Sequence, residues 1–134
     1  MGTWGTGAFD NDTAADWLYA LEEVDDLSLI ETTIASVLDG DDEYLDADVA
    51  AEALAACEVV ARLLGRRGVR HASTETLDKW VEKHSLSPSN ELLESARKAI
   101  GRVLSGDSEL RELWSESEGA DWLAAVEDLR LRLS

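Results

Sequence analysis

The stretch that decides the fold is DVAAEALAACEVVARLL, residues 48–64, which is the most apolar run of the chain. Its apolar residues recur every three or four positions, and this is the period of a helix. They are Val49, Ala53, Leu54, Cys57, Val60, Ala61 and Leu64. Because its many alanines allow neighbouring helices to approach closely, we expect this helix to lie at the centre of the fold.

The same helical period appears on both sides of this stretch, and one Pro among 134 residues is typical of a helical protein. Helices are predicted from a cap at Asp10 or Asn11 to about Val24, from Leu27 to Leu38, from Ser73 or Thr74 to about His84, from the start signal Ser87-Pro88 to about Leu104, from a cap at Asp107 or Ser108 through Trp114, and over Trp122 to Leu133. No sustained alternation of period two indicates a sheet. The sequence therefore predicts an all-α single domain over residues 1–134, a bundle of about six or seven helices.

The formal net charge of −17 is unevenly distributed along the chain. Residues 1–61 contain 16 Asp or Glu and no Lys or Arg, whereas residues 62–134 contain 13 acidic and 12 basic residues. Such a charge repels the nucleic acid backbone and anionic lipid headgroups, and it attracts basic proteins. Solubility alone is the alternative explanation of the charge.

The densest carboxylate cluster is a predicted acidic loop over residues 39–47, which reads DGDDEYLDA. An EF-hand beginning at Asp39 would need Gly and Glu where this chain has Tyr44 and Ala50, so a calcium loop is not indicated. The loop is instead expected to be solvated, with Asp46 or Asp48 capping the next helix. If the acidic half binds a basic partner, the residues predicted to meet it are Asp39, Asp41, Asp42, Glu43 and Asp46.

The N-terminal segment over residues 1–10 is rich in Gly and also carries Trp4 and Phe9. A wholly exposed tail gains nothing from two large aromatics, so we expect the segment to be ordered and packed on the bundle. Its glycines do not predict a phosphate site, because no strand precedes them and no Lys follows.

No catalytic motif, nucleotide-binding loop or zinc-ligand spacing occurs in the chain. His71 and His84 are not at ligand spacing, and Cys57 lies on the apolar face of its helix, where a core role is the expected one. We therefore expect no enzyme activity, no cofactor and no metal. The alternative is a small enzyme or metal-binding protein with a carboxylate site at Asp10, Asp12 and Asp16.

A single cysteine excludes an intramolecular disulfide and fits a reducing cytoplasm. No apolar run approaches the ~20 residues that a membrane span needs, so no membrane association is expected.

The opening residues MGTWGTGAFDND, followed by Asp16-Trp17, resemble a bacterial family catalogued as domain of unknown function 4259. The residues of this signature are Trp4, Gly5, Phe9, Asp10, Asn11, Asp12, Asp16 and Trp17. The resemblance extends to residues 52–61, 107–114 and 122–129, and so covers almost the whole chain. It implies a small, acidic, cytoplasmic bacterial protein with one helical domain, and it supplies no catalytic residue and no cofactor.

Taken together, these patterns predict a non-enzymatic protein-binding module whose acidic first half meets a basic partner. An immunity-like or inhibitory role against a basic toxin, such as a nuclease, is one concrete version. A third class is an inert domain with a self-association face formed by Trp114 and Trp122. The oligomeric state is left open between a monomer and a weak homodimer.

Overall fold

The computed structural model describes residues 12–24, 26–38, 45–65, 75–84, 87–105, 108–115 and 119–133. These residues form seven α-helices and no strand: α1 Asp12–Glu22, α2 Ser28–Leu38, α3 Ala47–Leu63, α4 Glu75–His84, α5 Asn90–Val103, α6 Glu109–Ser115 and α7 Gly119–Arg132. The predicted all-α bundle is therefore confirmed. The predicted N-terminal segment, the cap at Asp10 or Asn11, and residues 39–44 of the acidic loop lie outside the described residues.

Helix α3 is the centre of the bundle, as its apolar sequence predicted. It packs against each of the other six helices, and its residues from Ala53 to Arg62 are all buried. A helix that is covered on every side needs small side chains, because they let several neighbours approach its axis at once. The alanine-rich sequence of α3 therefore allows the other helices to pack closely against it.

Asp46 sets the beginning of α3. Its carboxylate accepts hydrogen bonds from the backbone N–H groups of Asp48 at 2.8 Å and Val49 at 3.4 Å, so it caps the helix. Of the two caps that the sequence allowed, Asp46 is the one used, and α3 begins at Ala47 rather than at Asp48. At the other end the chain leaves the helix through Gly65, whose φ of 81° is a conformation that glycine adopts without strain.

The predicted start of α5 at Ser87-Pro88 is wrong. The cap is Ser89, whose hydroxyl accepts the backbone N–H of Leu92 at 3.1 Å, and Pro88 lies before the helix. Both serines have the chemistry of a cap, but Ser89 directly precedes the turn that carries Leu92 and Leu93. A helix that began at Ser87 would add a polar turn with no packing to stabilise it.

Two buried indoles fix the first helices in place. Trp17 of α1 donates from Nε1 to the hydroxyl of Thr33 in α2 at 2.8 Å, and Thr33 donates in turn to the carbonyl of Leu29 at 2.7 Å. Trp80 of α4 donates to the carbonyl of Val24 at 3.1 Å. Each indole combines a large buried area with a satisfied N–H, so the first ring ties α1 to α2 and the second ties α4 to the chain just after α1.

Helix α6 is fastened to the start of α3 by backbone contacts. Leu45 and Ser108 form an isolated parallel bridge, and the N–H of Glu109 donates to the carbonyl of Leu45 at 2.9 Å. Ser108 is buried, and its hydroxyl accepts the N–H of Arg111 at 3.4 Å, which confirms it as the residue that caps α6.

Among the helices of the described ranges, none has the length and apolar character required to cross a membrane.

Candidate interaction surface

The candidate surface is the edge where the first turns of α1 and α3 meet. Thr13 of α1 donates from its hydroxyl to Asp48 of α3 at 3.1 Å, and this bond joins the two helix starts. The exposed carboxylates of Asp16, one turn along α1, and of Asp46 and Asp48 lie on this edge. Residues that are 30 positions apart in the sequence thereby contribute to one negatively charged surface, which we call the α1–α3 edge.

Carboxylates crowd at the beginning of α3. Glu52 follows Asp48 by one helical turn and is half-buried. Burial raises the pKa of Glu52, and repulsion from Asp48 and then from Asp46 raises it further. Glu109 adds a fourth carboxylate, which accepts the N–H of Ala47 at 2.8 Å. The positive end of the helix favours some negative charge here, while burial and the neighbouring carboxylates disfavour the charge of Glu52.

From Asp16 onward, helix α1 exposes one face. Asp16, Tyr19 and Ala20 lie on this face and the exposed Glu23 continues it in the turn that follows the helix, while Ala14, Trp17, Leu18 and Leu21 on the opposite face belong to the core. The ring of Tyr19 is 67% exposed. This face continues the α1–α3 edge beyond Asp16.

Four carboxylates of the first half of the chain have no cation partner among the described residues. Within those residues Asp16, Glu22, Glu23 and Glu31 form no ion pair, and all four are exposed. In the second half of the chain, by contrast, Lys98 pairs with Glu94 and Arg130 pairs with Glu127. Within the part of the chain that the structure describes, these first-half carboxylates are thus not neutralised by basic side chains.

Two arginines of the second half are used inside the bundle. Arg62 of α3 pairs with Glu58 at 3.0 Å and with Asp78 of α4 at 2.6 Å, while Arg132 of α7 pairs with the same Glu58 at 2.6 Å. Arg62 is only 2% exposed. These guanidiniums are therefore directed at internal carboxylates and do not neutralise the α1–α3 edge.

Only some of the residues that the sequence predicted for binding or as a family signature lie among the described residues. Of the predicted partner-binding residues, Asp46 is exposed on the α1–α3 edge, and Asp39, Asp41, Asp42 and Glu43 lie outside the described residues. Of the signature residues, Trp17 is buried and Asp16 is exposed, while Asp12 begins α1. The remaining signature residues, Trp4, Gly5, Phe9, Asp10 and Asn11, also lie outside the described residues.

Cys57 belongs to the core, as expected. It is fully buried on α3, and its Sγ lies 3.6 Å from the carbonyl of Ala96. Burial, and to a smaller extent the charge of Glu58, raises the pKa of the thiol, so the reactive thiolate is disfavoured. Within the described parts of the chain, no three His, Cys, Asp or Glu side chains are grouped so as to hold a metal ion.

The predicted self-association face is wrong for one of its two tryptophans. Trp122 is 3% exposed and lies in the core with Val126 and Leu129 of the same helix. A ring buried in this way is not available to a second copy of the chain. The helical period accounts for this burial, since positions 122, 126 and 129 share one face of α7.

The fold of the described residues defines a class, that of small all-α bundles. Within it, the chain belongs to the family described as "Domain of unknown function (DUF4259)", which it matches over residues 2–125. The family suspected from the opening signature is therefore confirmed. Neither a curated protein nor a solved structure matches the chain.

Proposed function

We propose that the protein is a non-enzymatic binding module of the bacterial cytoplasm whose acidic first half meets a basic protein. The observation that supports this most is the α1–α3 edge, where Asp16, Asp46 and Asp48 are exposed and Glu52 is half-buried among them. Carboxylates held together by folding repel one another, and a basic partner would relieve that repulsion on binding.

The chemistry of such a surface determines the character of the complex. Exposed ion pairs contribute only about 0.2–1 kcal/mol each, so several must form together for a stable complex. A concentrated negative field accelerates the approach of a basic partner, and salt weakens both the rate and the affinity. The proposed complex therefore forms quickly and is sensitive to ionic strength.

An immunity-like or inhibitory role is the concrete version of the proposal. A nuclease that binds the phosphate backbone carries a basic surface, and an acidic protein competes for that surface by charge. The net charge of −17 and its concentration in residues 1–61 support this version.

Affinity capture from a bacterial lysate tests the proposal when it compares three baits. The first is the wild-type protein, and the second carries Asp16→Asn, Glu23→Gln and Asp48→Asn. The third is a control with the same loss of charge in the second half, Glu91→Gln, Glu94→Gln and Glu127→Gln, all at exposed positions.

We expect the wild-type and the control to retain the same basic protein at low salt and to release it at high salt. The first-half variant should retain much less of it. If the wild-type bait retains no basic protein at low salt, the proposed function is wrong.

A further inference from the structure

We infer that the exposed face of α1 is the docking site for an arginine-bearing segment of the partner, with Tyr19 as its aromatic anchor. This inference rests on the proposed function and adds to it the element that binds and the chemical group that is bound. The face consists of Asp16, Tyr19, Ala20 and Glu23.

The first step is that this face has no cover within the described part of the chain. Trp17 and Leu21 turn inward and tie α1 to the core, and Trp17 is fixed by its hydrogen bond to Thr33. Tyr19, two residues from Trp17, is 67% exposed, and it makes no hydrogen bond and no ring contact with any residue that the structure describes. The two aromatic residues of α1 therefore have opposite environments.

The second step concerns the type of side chain. Three large apolar side chains are exposed among the described residues, namely Tyr19, Leu123 and Leu131. Only Tyr19 is aromatic, and tyrosine is a residue that protein interfaces favour, because its ring offers a large contact area and its hydroxyl a polar contact. The two leucines lie on α7, in the half of the chain whose charge is nearly balanced.

The third step is the charge around the ring. Asp16 lies one turn before Tyr19 on α1, which places their Cβ atoms about 5–6 Å apart, and Glu23 directly follows the end of the helix, four positions after Tyr19. Neither carboxylate has an ion pair among the described residues. An aromatic face flanked by two such carboxylates attracts a cation, because the ring and both acids favour positive charge.

Arginine fits this arrangement better than lysine. Its planar guanidinium stacks on an aromatic face and at the same time donates paired hydrogen bonds to a carboxylate at the side. The ammonium of lysine is a compact and strongly hydrated charge, so it gains less from the ring. The face should therefore distinguish two basic peptides that carry the same charge.

Binding of two synthetic probes tests the inference, a nona-arginine peptide and a nona-lysine peptide, each titrated at low salt by fluorescence anisotropy. We expect the wild-type protein to bind the arginine peptide more tightly than the lysine peptide. Tyr19→Ala should lower the affinity for the arginine peptide about fivefold and remove this preference. Tyr19→Phe, which keeps the ring, should retain both.

Leu131→Ala is the matched control, because Leu131 is 71% exposed but lies outside the face. Its affinity for both peptides should equal that of the wild-type. Unfolding midpoints of all variants, measured in parallel, should be the same, since each substitution is at an exposed side chain.

The possible failures are distinguishable. If wild-type protein binds neither peptide at low salt, the proposed function fails and the docking site fails with it. If it binds both peptides equally well and Tyr19→Ala changes nothing, the acidic surface still binds basic chains but the α1 face is not the site.

Discussion

The guanidinium of Arg132 donates two hydrogen bonds to the carboxylate of Glu58, from Nη1 to Oε2 at 2.6 Å and from Nη2 to Oε1 at 2.8 Å. The same Oε2 also accepts a hydrogen bond from Nε of Arg62 at 3.0 Å. One carboxylate on the central helix therefore holds an arginine of its own helix and an arginine at the end of α7. Because Arg62 also pairs with Asp78, this Glu58 network links α3, α4 and α7.

Replacing Glu58 tests how strongly the network stabilises the bundle. The side chain of Glu58 is 8% exposed, and Glu58→Gln would leave the two guanidiniums without the charge that they share. Removing one partner of a buried ion pair costs about 3–5 kcal/mol of the free energy of unfolding, and we expect the lower end of this range because Arg62 keeps Asp78 and Arg132 keeps Asp128. Urea unfolding should show this loss, whereas Glu127→Gln, at an exposed pair, should change the free energy by less than about 0.5 kcal/mol.

Replacing Arg132 tests the attachment of α7 alone. In Arg132→Met the carboxylate of Glu58 keeps Arg62, so we expect a smaller loss than in Glu58→Gln, about 1–3 kcal/mol. Amide hydrogen exchange should accelerate most in α7, because its end loses the contact of Arg132 with Glu58. The hydrogen bond from Arg97 Nε to the carbonyl of Leu133 at 2.8 Å would remain there. Glu127→Gln, at the exposed pair with Arg130, should leave exchange in α7 unchanged; equal acceleration in both variants would contradict the role of Arg132.

The signature residue Trp17 should act through structure. Trp17→Phe keeps an aromatic ring in the core but removes the hydrogen bond to Thr33, whose hydroxyl still donates to Leu29. The loss of one buried hydrogen bond and of some packing should lower the free energy of unfolding by about 1–2 kcal/mol. Affinity for the nona-arginine peptide should be unaffected, and a large loss of affinity with unchanged stability would show that Trp17 is a binding residue.

Protonation of Glu52 should remove a destabilising charge as the pH falls below neutrality. Its pKa in the folded protein is raised above its usual value of 4.5, so the folded state binds the proton more tightly than the unfolded state does. The destabilisation that its charge causes is therefore complete above the folded pKa, and it disappears as the pH falls towards 4.5. We expect Glu52→Gln to raise the unfolding midpoint at pH 7 and to make no difference below pH 4.5, as thermal unfolding at a series of pH values would show. A midpoint that Glu52→Gln leaves unchanged at pH 7 would mean that neither burial nor the neighbouring carboxylates disfavour the charge of Glu52.

The sequence was sufficient to predict the central helix and the inner faces. Helix α3 has an apolar and alanine-rich sequence, and these properties placed it in the middle. The period of α1 assigned Trp17 and Leu21 to the core and left Tyr19 outside, so the signal for the exposed tyrosine was already present in the spacing. The family was also recognisable, because the opening signature is specific.

Contacts between distant residues could not be predicted in this way. Glu58 and Arg62 are four residues apart, a spacing that indicates an ion pair on one helix. Nothing in the sequence pairs Glu58 with Arg132, which lies 74 positions away, because that contact depends on how α7 packs. The start of α5 was missed for a local reason, since Ser87 and Ser89 have the same capping chemistry and only packing chooses between them.

The central claim is that the acidic first half binds a basic partner, and its most direct test is the affinity of the captured basic protein for three forms of this chain. These are the wild-type, the first-half variant Asp16→Asn/Glu23→Gln/Asp48→Asn, and the second-half control Glu91→Gln/Glu94→Gln/Glu127→Gln. We predict that the first-half variant binds about tenfold more weakly than the control at low salt, since each exposed pair contributes about 0.2–1 kcal/mol, and that the difference shrinks at high salt. Equal affinities of the two variants at low salt would contradict the claim.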